Sequence, residues 1–338
     1  MGPLLFLIYV NDLPSITDLN IIQYADDTCV IIPFKYTSDN NRLQILTKTI
    51  NDQLNVLYLW LAANKLSLNI TKTKYTLFHY KQKKIGIEPN IEINHTSLSH
   101  VNHYKFLGIF IDNSLSWDVH INHISVKLSK TIGLMSKLKI FFPKHILLNI
   151  YNSLVLSHIN YGITCWSFGQ CNRIETLHKR AIRIANKLPP YKAHTIPICK
   201  QLKLLQFKDL ADLATLKFYY KLHNKMLPKY FLNNDFIKPY HPLRSNLRKT
   251  KPALFPDYIT DSVNYRPDFY IAKNNKTTSD SRLSIHIAKL LNIKYFPKSV
   301  TDKINTHSIN GISLYFKKYV IDNYDPVCRI LDCFICNE

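Results

Sequence analysis

No run of about eighteen apolar residues occurs in the 338-residue chain, so a membrane-spanning helix is not expected. The apolar opening Pro3 to Val10 has no basic segment before it and no small-residue cleavage site after it, and Asn11-Asp12 interrupts it. A signal peptide is thereby disfavoured, and the segment reads as the end of a buried element. Met1-Gly2 matches the start of a myristoylation signal, but Pro3 and Phe6 depart from the rest of it. Carboxylates are scarce: 23 Asp and Glu face 44 Lys and Arg, a formal charge of +21. Such an excess attracts polyanions, which makes nucleic acid the first partner to consider. Cysteine lacks a pattern, since positions 29, 165, 171, 199, 328, 333 and 336 are odd in number and irregular in spacing. That argues against a secreted disulfide framework and for a reducing, intracellular setting. No internal repeat is visible, yet 46% hydrophobic residues over this length supply ample material for a core.

Two β-branched runs, Ile21-Ile22-Gln23-Tyr24 and Thr28-Cys29-Val30-Ile31-Ile32, flank Ala25-Asp26-Asp27 and predict a hairpin with an acidic turn. Leu43, Leu46, Ile50, Leu54, Leu57, Trp60 and Leu61 predict an amphipathic helix over Asn41 to Ala63. Leu66 to Asn69 and Lys74 to Tyr80 read as extended, and a second hairpin is expected across Ile91 to Ile111 with Gly108 inside it. This alternation describes an α+β layer. From Trp117 the spacing becomes helical through Ile124, Leu128, Ile132, Met135 and Leu138, and then through Ile146, Ile150, Leu154 and Ile159. Helices are also expected over Leu177 to Leu188 and over Leu202 to Leu227, the first with Lys and Arg and the second with Lys beside apolar residues. Beyond Pro228 the prolines at 239, 242, 252, 256 and 267 predict a loop-rich tail with short helices at Ile285 to Leu291 and Ile312 to Val320.

Adjacent carboxylates at a hairpin tip repel each other, and a bound cation would offset that repulsion. Hard oxygen ligands suit Mg²⁺, while the alternative is an exposed acidic turn, for which Asp is well adapted.

The segment Tyr24-Ala25-Asp26-Asp27 resembles the catalytic motif of reverse transcriptases. Gly2 to Pro14 is similar to the segment just upstream of it in the enzymes of jockey-type non-LTR retrotransposons. Trp60, Asn64 to Asn69 and Lys72-Thr73-Lys74 match the next motif. Tyr104 to Gly108, Ile111-Asp112 and Leu115-Ser116-Trp117 are similar to the primer-grip hairpin. Tyr161-Gly162, Trp166, Arg180 to Leu188 and Leu227-Pro228 follow the family more loosely. The resemblance implies an RNA-directed DNA polymerase, a nucleotidyltransferase of the cytoplasm and nucleus, with RNA template, DNA primer and deoxynucleoside triphosphates as partners and no membrane partner. It implies that two Mg²⁺ ions activate the primer 3′-hydroxyl and stabilise the leaving pyrophosphate. Asp26 is then a metal ligand, Asp27 its support, and Tyr24 and Ala25 neighbours of the primer end. Lys72 or Lys74 would neutralise the triphosphate, and Leu107-Gly108 would touch the primer backbone.

The family's other catalytic aspartate lies upstream of the Gly-Pro-Leu-Leu-Phe segment. Because the chain starts at Met1-Gly2-Pro3, it is expected to be a C-terminal piece of a longer reading frame that does not polymerise alone. The expected organisation is a partial palm over 1–117, a helical thumb-like and basic region over 118–227, and a loop-rich region over 228–338. The alternative is a non-catalytic nucleic-acid-binding remnant of a mobile element.

Other constellations are weaker. Cys328, Cys333 and Cys336 lack a fourth zinc ligand, and the pairs His100/His103 and His120/His123 lack an acidic partner at a metal-site interval. His178, Lys179, Arg180, Arg183 and Lys187 share one predicted helix, and Lys217, Lys221, Lys225 and Lys229 recur every four residues on another. Beside Tyr219 and Tyr220, such rows suit a phosphate backbone or, alternatively, an ordinary solvated face. Residues 170–338 hold 29 basic and 13 acidic side chains against 15 and 10 in residues 1–169, so binding is expected mainly in the second half.

Overall fold

The computed structural model describes residues 1–33, 39–82, 86, 88–191, 193–228, 231, 304 and 307–324. The chain divides into two compact units, Met1–Ser116 and Trp117–Glu338. Both helix and strand are present, as an α+β chain requires.

The first unit opens with α1 (Gly2–Tyr9), where Pro3 sits in the first turn and its missing N–H costs nothing. The expectation of a buried element here is corrected, because α1 buries no side chain and leaves Leu4, Leu5, Leu7 and Ile8 exposed. Burial begins just after it, at Val10 and Leu13. Strands β1 (Asn20–Tyr24) and β2 (Asp27–Ile31) form the predicted antiparallel hairpin. Its inner face, Ile21 opposite Val30, packs with Leu54 and Leu57 of α2 (Asn40–Ala63) and with Ile91 and Ile93. The Asp39 side chain caps α2 by accepting from the Asn41 N–H at 3.0 Å.

Polar side chains of α2 hold the next hairpin. Asn51 donates to the Asn90 carbonyl at 3.1 Å and accepts from the Glu92 N–H at 3.0 Å, and Asn55 accepts from the Asn94 N–H at 2.8 Å. The single hairpin expected across Ile91 to Ile111 is in fact two. One joins β4 (Glu92–Ile93) to β5 (Thr96–Ser97) and the other β7 (His103–Phe106) to β8 (Ile109–Asp112). Each turns on two residues of positive φ, Asn94-His95 at 48° and 57° and Leu107-Gly108 at 45° and 82°, the backbone that right-twisted strands demand. The extended reading of Leu66 to Asn69 and Lys74 to Tyr80 also shrinks. Only β3 (Lys74–Tyr75) is a strand, paired parallel with β6 (Ser99–His100). Before it, Asn69 folds the chain back on itself, its Oδ1 accepting from Thr71 Oγ1 at 2.7 Å and from the Lys72 N–H at 3.1 Å.

The second unit is helical among the described residues. α3 (Asp118–Leu138) buries Ile121, Ile124, Leu128, Ile132 and Met135, close to the predicted stripe. It packs on α7 (Asn172–Ala185), which buries Ile174, Ala181, Ile182 and Ile184. Between them run α4 (Lys144–Ile150), a π-helical stretch (Tyr151–Leu156), α5 (Ser157–Asn160) and α6 (Ile163–Trp166). The predicted inward stripe there is off by one position. Leu147, Tyr151, Val155 and Ile159 are buried, whereas Leu154 is exposed. A strict interval of four drifts around an α-helix, and the wider winding of the π-helical stretch brings these four back to one side. Of the helix expected over Leu202 to Leu227 only α9 (Phe207–His223) forms, and a separate helix, α8 (Thr195–Leu202), ends where the expected one was to begin. α10 (Ile309–Asp322) covers the predicted helix at Ile312 to Val320 and buries Ile312 and Phe316 against Leu216 of α9. The other helix expected in the tail, at Ile285 to Leu291, and the prolines from 239 to 267 lie outside the described residues.

Candidate functional site

In the β1–β2 hairpin Tyr24 pairs with Asp27, so Ala25 and Asp26 alone form the turn. Ala25 takes φ 54°, a left-handed conformation that a residue with a Cβ adopts at a cost of about 1 kcal/mol. Asp26 thus sits at the very end of the hairpin and Asp27 opens β2. Because side chains alternate along a strand, Asp27 shares a face with Tyr24 across the ladder and with Ile22 two residues further back. That face is open: Tyr24 is 64% and Ile22 52% exposed, and both aspartates are exposed. The opposite face carries Ile21 and Val30 into the core. The hairpin therefore has one anchored face and one presented face, with two carboxylates at the presented end.

The donor set is short of what a two-ion centre needs. Among the described residues no three His, Cys, Asp or Glu side chains gather to hold a metal, and Asp26 and Asp27 are no exception. Oxygen donors of this kind suit Mg²⁺, but one adjacent pair does not enclose two ions.

The other predicted contact residues belong to the same unit. Lys72, within the Asn69 turn, and Lys74, which opens β3 just after it, are both exposed. Leu107 and Gly108 form the tip of the β7–β8 hairpin, where a turn with both central residues at positive φ makes Gly108 the natural second residue. Lys105 Nζ lies 6.0 Å from the centroid of the Phe110 ring. The strands of this unit form four separate two-stranded ladders, so the Asp26-Asp27 hairpin and the Leu107-Gly108 hairpin share no hydrogen-bonded sheet among the described residues. Asp112, at the end of β8, is buried and accepts from Ser114 N–H at 3.2 Å, Ser114 Oγ at 2.8 Å and Ser116 N–H at 2.9 Å. Its carboxylate closes the hairpin, a structural role beside the motif resemblance.

The basic rows of the second unit are rearranged by the fold. His178 is buried in the core, where Tyr151 Oη and His178 Nε2 are 2.7 Å apart and the rings stack. Burial, with Lys179 beside it, lowers its pKa to about 4, so it is neutral and no part of a cationic face. Arg183 donates from Nε to the Ala193 carbonyl at 2.6 Å and from Nη1 to the Pro190 carbonyl at 3.0 Å, which fastens the loop after α7. Arg180 stacks on the exposed Tyr191 ring, 5.1 Å from its centroid. Lys217 and Lys221 are exposed on α9, but that helix ends at His223. Lys225 stands beyond it at φ 54°, and Lys229 lies outside the described residues, so the four-residue row has two helical members.

The histidines also differ from expectation. His100 Nδ1 meets Glu88 at 3.0 Å, an acidic partner twelve residues upstream that the short-range spacing did not show. His120 is buried edge-on to Trp166, with its pKa lowered to about 4 by burial and then by His123 and Lys127. Cys328, Cys333 and Cys336 lie outside the described residues.

No family model and no solved structure matches the chain. Curated relatives do. The RNA-directed DNA polymerase from mobile element jockey of Drosophila melanogaster is 25% identical over 239 residues, covering 66% of this chain and 25% of the relative. Its counterpart in Drosophila funebris is 26% identical over 205 residues, 56% of this chain and 21% of the relative. The probable RNA-directed DNA polymerase from transposon X-element of Drosophila melanogaster is 22% identical over 198 residues, 54% of this chain and 20% of the relative. These are polymerases of non-LTR mobile elements, the group that the motifs resemble. The chain spans about a quarter or less of their length.

Proposed function

We propose that this chain is part of the RNA-directed DNA polymerase of a non-LTR mobile element, acting on an RNA template, a DNA primer and deoxynucleoside triphosphates. The observation that carries the reading is the two-residue turn that sets Asp26 and Asp27 at the exposed end of a core-anchored hairpin, within Tyr24-Ala25-Asp26-Asp27. Backbone strain at Ala25 fits a tip shaped for use, because a glycine there would remove the strain at no cost to the hairpin. Residues 1–117 would be palm, with Tyr24 and Ala25 at the primer end, Lys72 near the triphosphate and Leu107-Gly108 on the primer backbone. Residues 118–227 would form a thumb-like and basic region. Asp26 and Asp27 would contribute oxygen donors to Mg²⁺, and the site needs a further carboxylate from outside the described residues.

Primer extension on a poly(rA) template with an oligo(dT) primer tests this. With Mg²⁺ or Mn²⁺ the chain alone should extend nothing. Joined in frame to the preceding segment of its jockey relative it should extend, and Asp26→Asn should abolish that extension. Strong extension by the chain alone that disappears in Asp26→Asn would show the site to be complete already. A fusion indifferent to Asp26→Asn would remove the catalytic assignment and leave a second reading, a nucleic-acid-binding remnant, which the basic charge of residues 170–338 favours.

A further inference from the structure

Between Asp118 and Glu175 the chain has no Asp or Glu at all, while Lys127, Lys130, Lys137, Lys139, Lys144 and Arg173 fall in that interval. The turn between α3 and α4 lies within it. Here Ile140 and Phe141 are 75% and 78% exposed, and Phe142 is 40% exposed. The backbone of the turn is fixed, since the N–H groups of Phe141 and Phe142 both bond the Leu138 carbonyl at 3.0 Å. Lys137 and Lys139 end α3, and Lys144 begins α4, so three cations flank the apolar tip along the chain. None of the three is in an ion pair among the described residues. A stretch built only for solubility has no reason to project two phenyl rings into water, where burying either would be worth about 2 kcal/mol.

We infer that the Ile140-Phe141-Phe142 turn is a docking point for single-stranded nucleic acid, an unpaired base stacking on Phe141 while Lys137, Lys139 and Lys144 meet the flanking phosphates. Aromatic faces with cations spaced around them are the means by which proteins hold single strands without reading sequence. The tip is too short to lie in a lipid interface as an amphipathic helix does, and its lysines flank it rather than forming an opposite face. The inference rests on the nucleic-acid reading above.

Fluorescence anisotropy of the full chain with a labelled 20-nucleotide oligo(U) tests it. Phe141→Ala should weaken binding about fivefold or more, with an unchanged salt slope because no charge is removed. Phe141→Trp should retain the affinity and Phe141→Leu should not, which separates an aromatic face from mere apolarity. Replacing Lys137, Lys139 and Lys144 together by Gln should lower both affinity and salt slope. A thermal melt shared by all variants would show that the exposed turn, not the fold, is responsible. If the wild type binds and Phe141→Ala binds equally well, the docking point is refuted while the broader reading stands. If the wild type does not bind the oligonucleotide, the broader reading fails. Binding to phosphatidylcholine–phosphatidylserine vesicles that Phe141→Ala abolishes, without oligonucleotide binding, would give the tip to a lipid surface and overturn the inference.

Discussion

The backbone N–H of Leu66 reaches back to the carbonyl of Leu61 at 2.8 Å, closing α2 over Lys65, which turns at φ 56°. The same closure recurs three times. Leu188 bonds Arg183 over Lys187 (φ 62°), Leu204 bonds Cys199 over Lys203 (φ 53°), and Met226 bonds Lys221 over Lys225 (φ 54°). Helices ordinarily end this way on glycine. This chain has only seven glycines, and lysine takes the position, followed each time by an apolar residue and preceded in three cases by Asn64, Asn186 or Asn224. The lysine cation is well placed there, since the carbonyl end of a helix is negative.

Left-handed backbone strains a lysine and not a glycine. Lys65→Gly, Lys187→Gly and Lys225→Gly should therefore each raise stability by about 0.5–1 kcal/mol, read as a higher urea midpoint at unchanged slope. Val at the same positions should lower it by at least as much, because its β-branch suits that conformation least. A glycine variant less stable than the parent would mean that lysine's charge at the helix end outweighs the backbone strain.

Those stops show why some of the fold was legible and some was not. The β1–β2 hairpin, α2 and α3 are visible in the sequence because their apolar periodicity and the carboxylate turn are local. The ends of α7, α8 and α9 carry no glycine, so the spacing of Leu202 to Leu227 ran through a real break at Lys203. The tip at Asp26-Asp27 was legible for the same local reason, since only two residues separate the paired strands. The roles of Arg183 and His178 were not. Their partners stand seven to ten residues away for Arg183 and 27 away for His178, and a row of basic letters looks alike whether it faces solvent or the core.

His178 predicts a pH dependence. Its folded pKa of about 4 lies below the ordinary value of 6.5, so the unfolded chain binds more protons between those limits. Stability from this site is fully present above pH 6.5 and falls as pH drops toward 4. His120, also lowered to about 4, adds to the same slope. Tyr151→Phe should cost about 1–3 kcal/mol by leaving the buried imidazole without its 2.7 Å partner. Replacing both residues, Tyr151→Phe with His178→Leu, should cost less than that single change and flatten part of the acid slope. Urea melts at pH 7.5, 6 and 5 would check it. A double variant with the parent's full acid slope would place the titration elsewhere.

The last prediction concerns where the charge resides. Cutting the sequence at its midpoint divides the excess as +5 and +16, but residue 169 falls between α3 and α7, which pack on one another. The boundary between compact units at Ser116 and Trp117 gives a sharper division. Residues 1–116 hold 10 basic and 9 acidic side chains, a net +1, whereas residues 117–338 hold 34 and 14, a net +20. Binding to single-stranded RNA and DNA should therefore belong to the second unit, with little sequence preference and about tenfold or greater loss between 50 and 200 mM salt. Within it the fold sorts the cations by availability. Lys217 and Lys221 are exposed on α9, Arg183 is committed to the carbonyls of Pro190 and Ala193, and Lys225 terminates a helix. Lys217→Gln with Lys221→Gln in the full chain should then weaken binding and lower the salt slope by about 1.4, at roughly 0.7 per phosphate on a single strand. Lys225→Gly should leave the affinity within about twofold, since no more than one peripheral phosphate contact is at stake. Arg183→Gln should lower the melting temperature while leaving the salt slope in place, because its guanidinium already holds the loop after α7. A flat salt response of the whole chain, or equal losses from Lys217/Lys221 and Lys225, would mean that the charge of the second unit serves solubility and not a phosphate backbone.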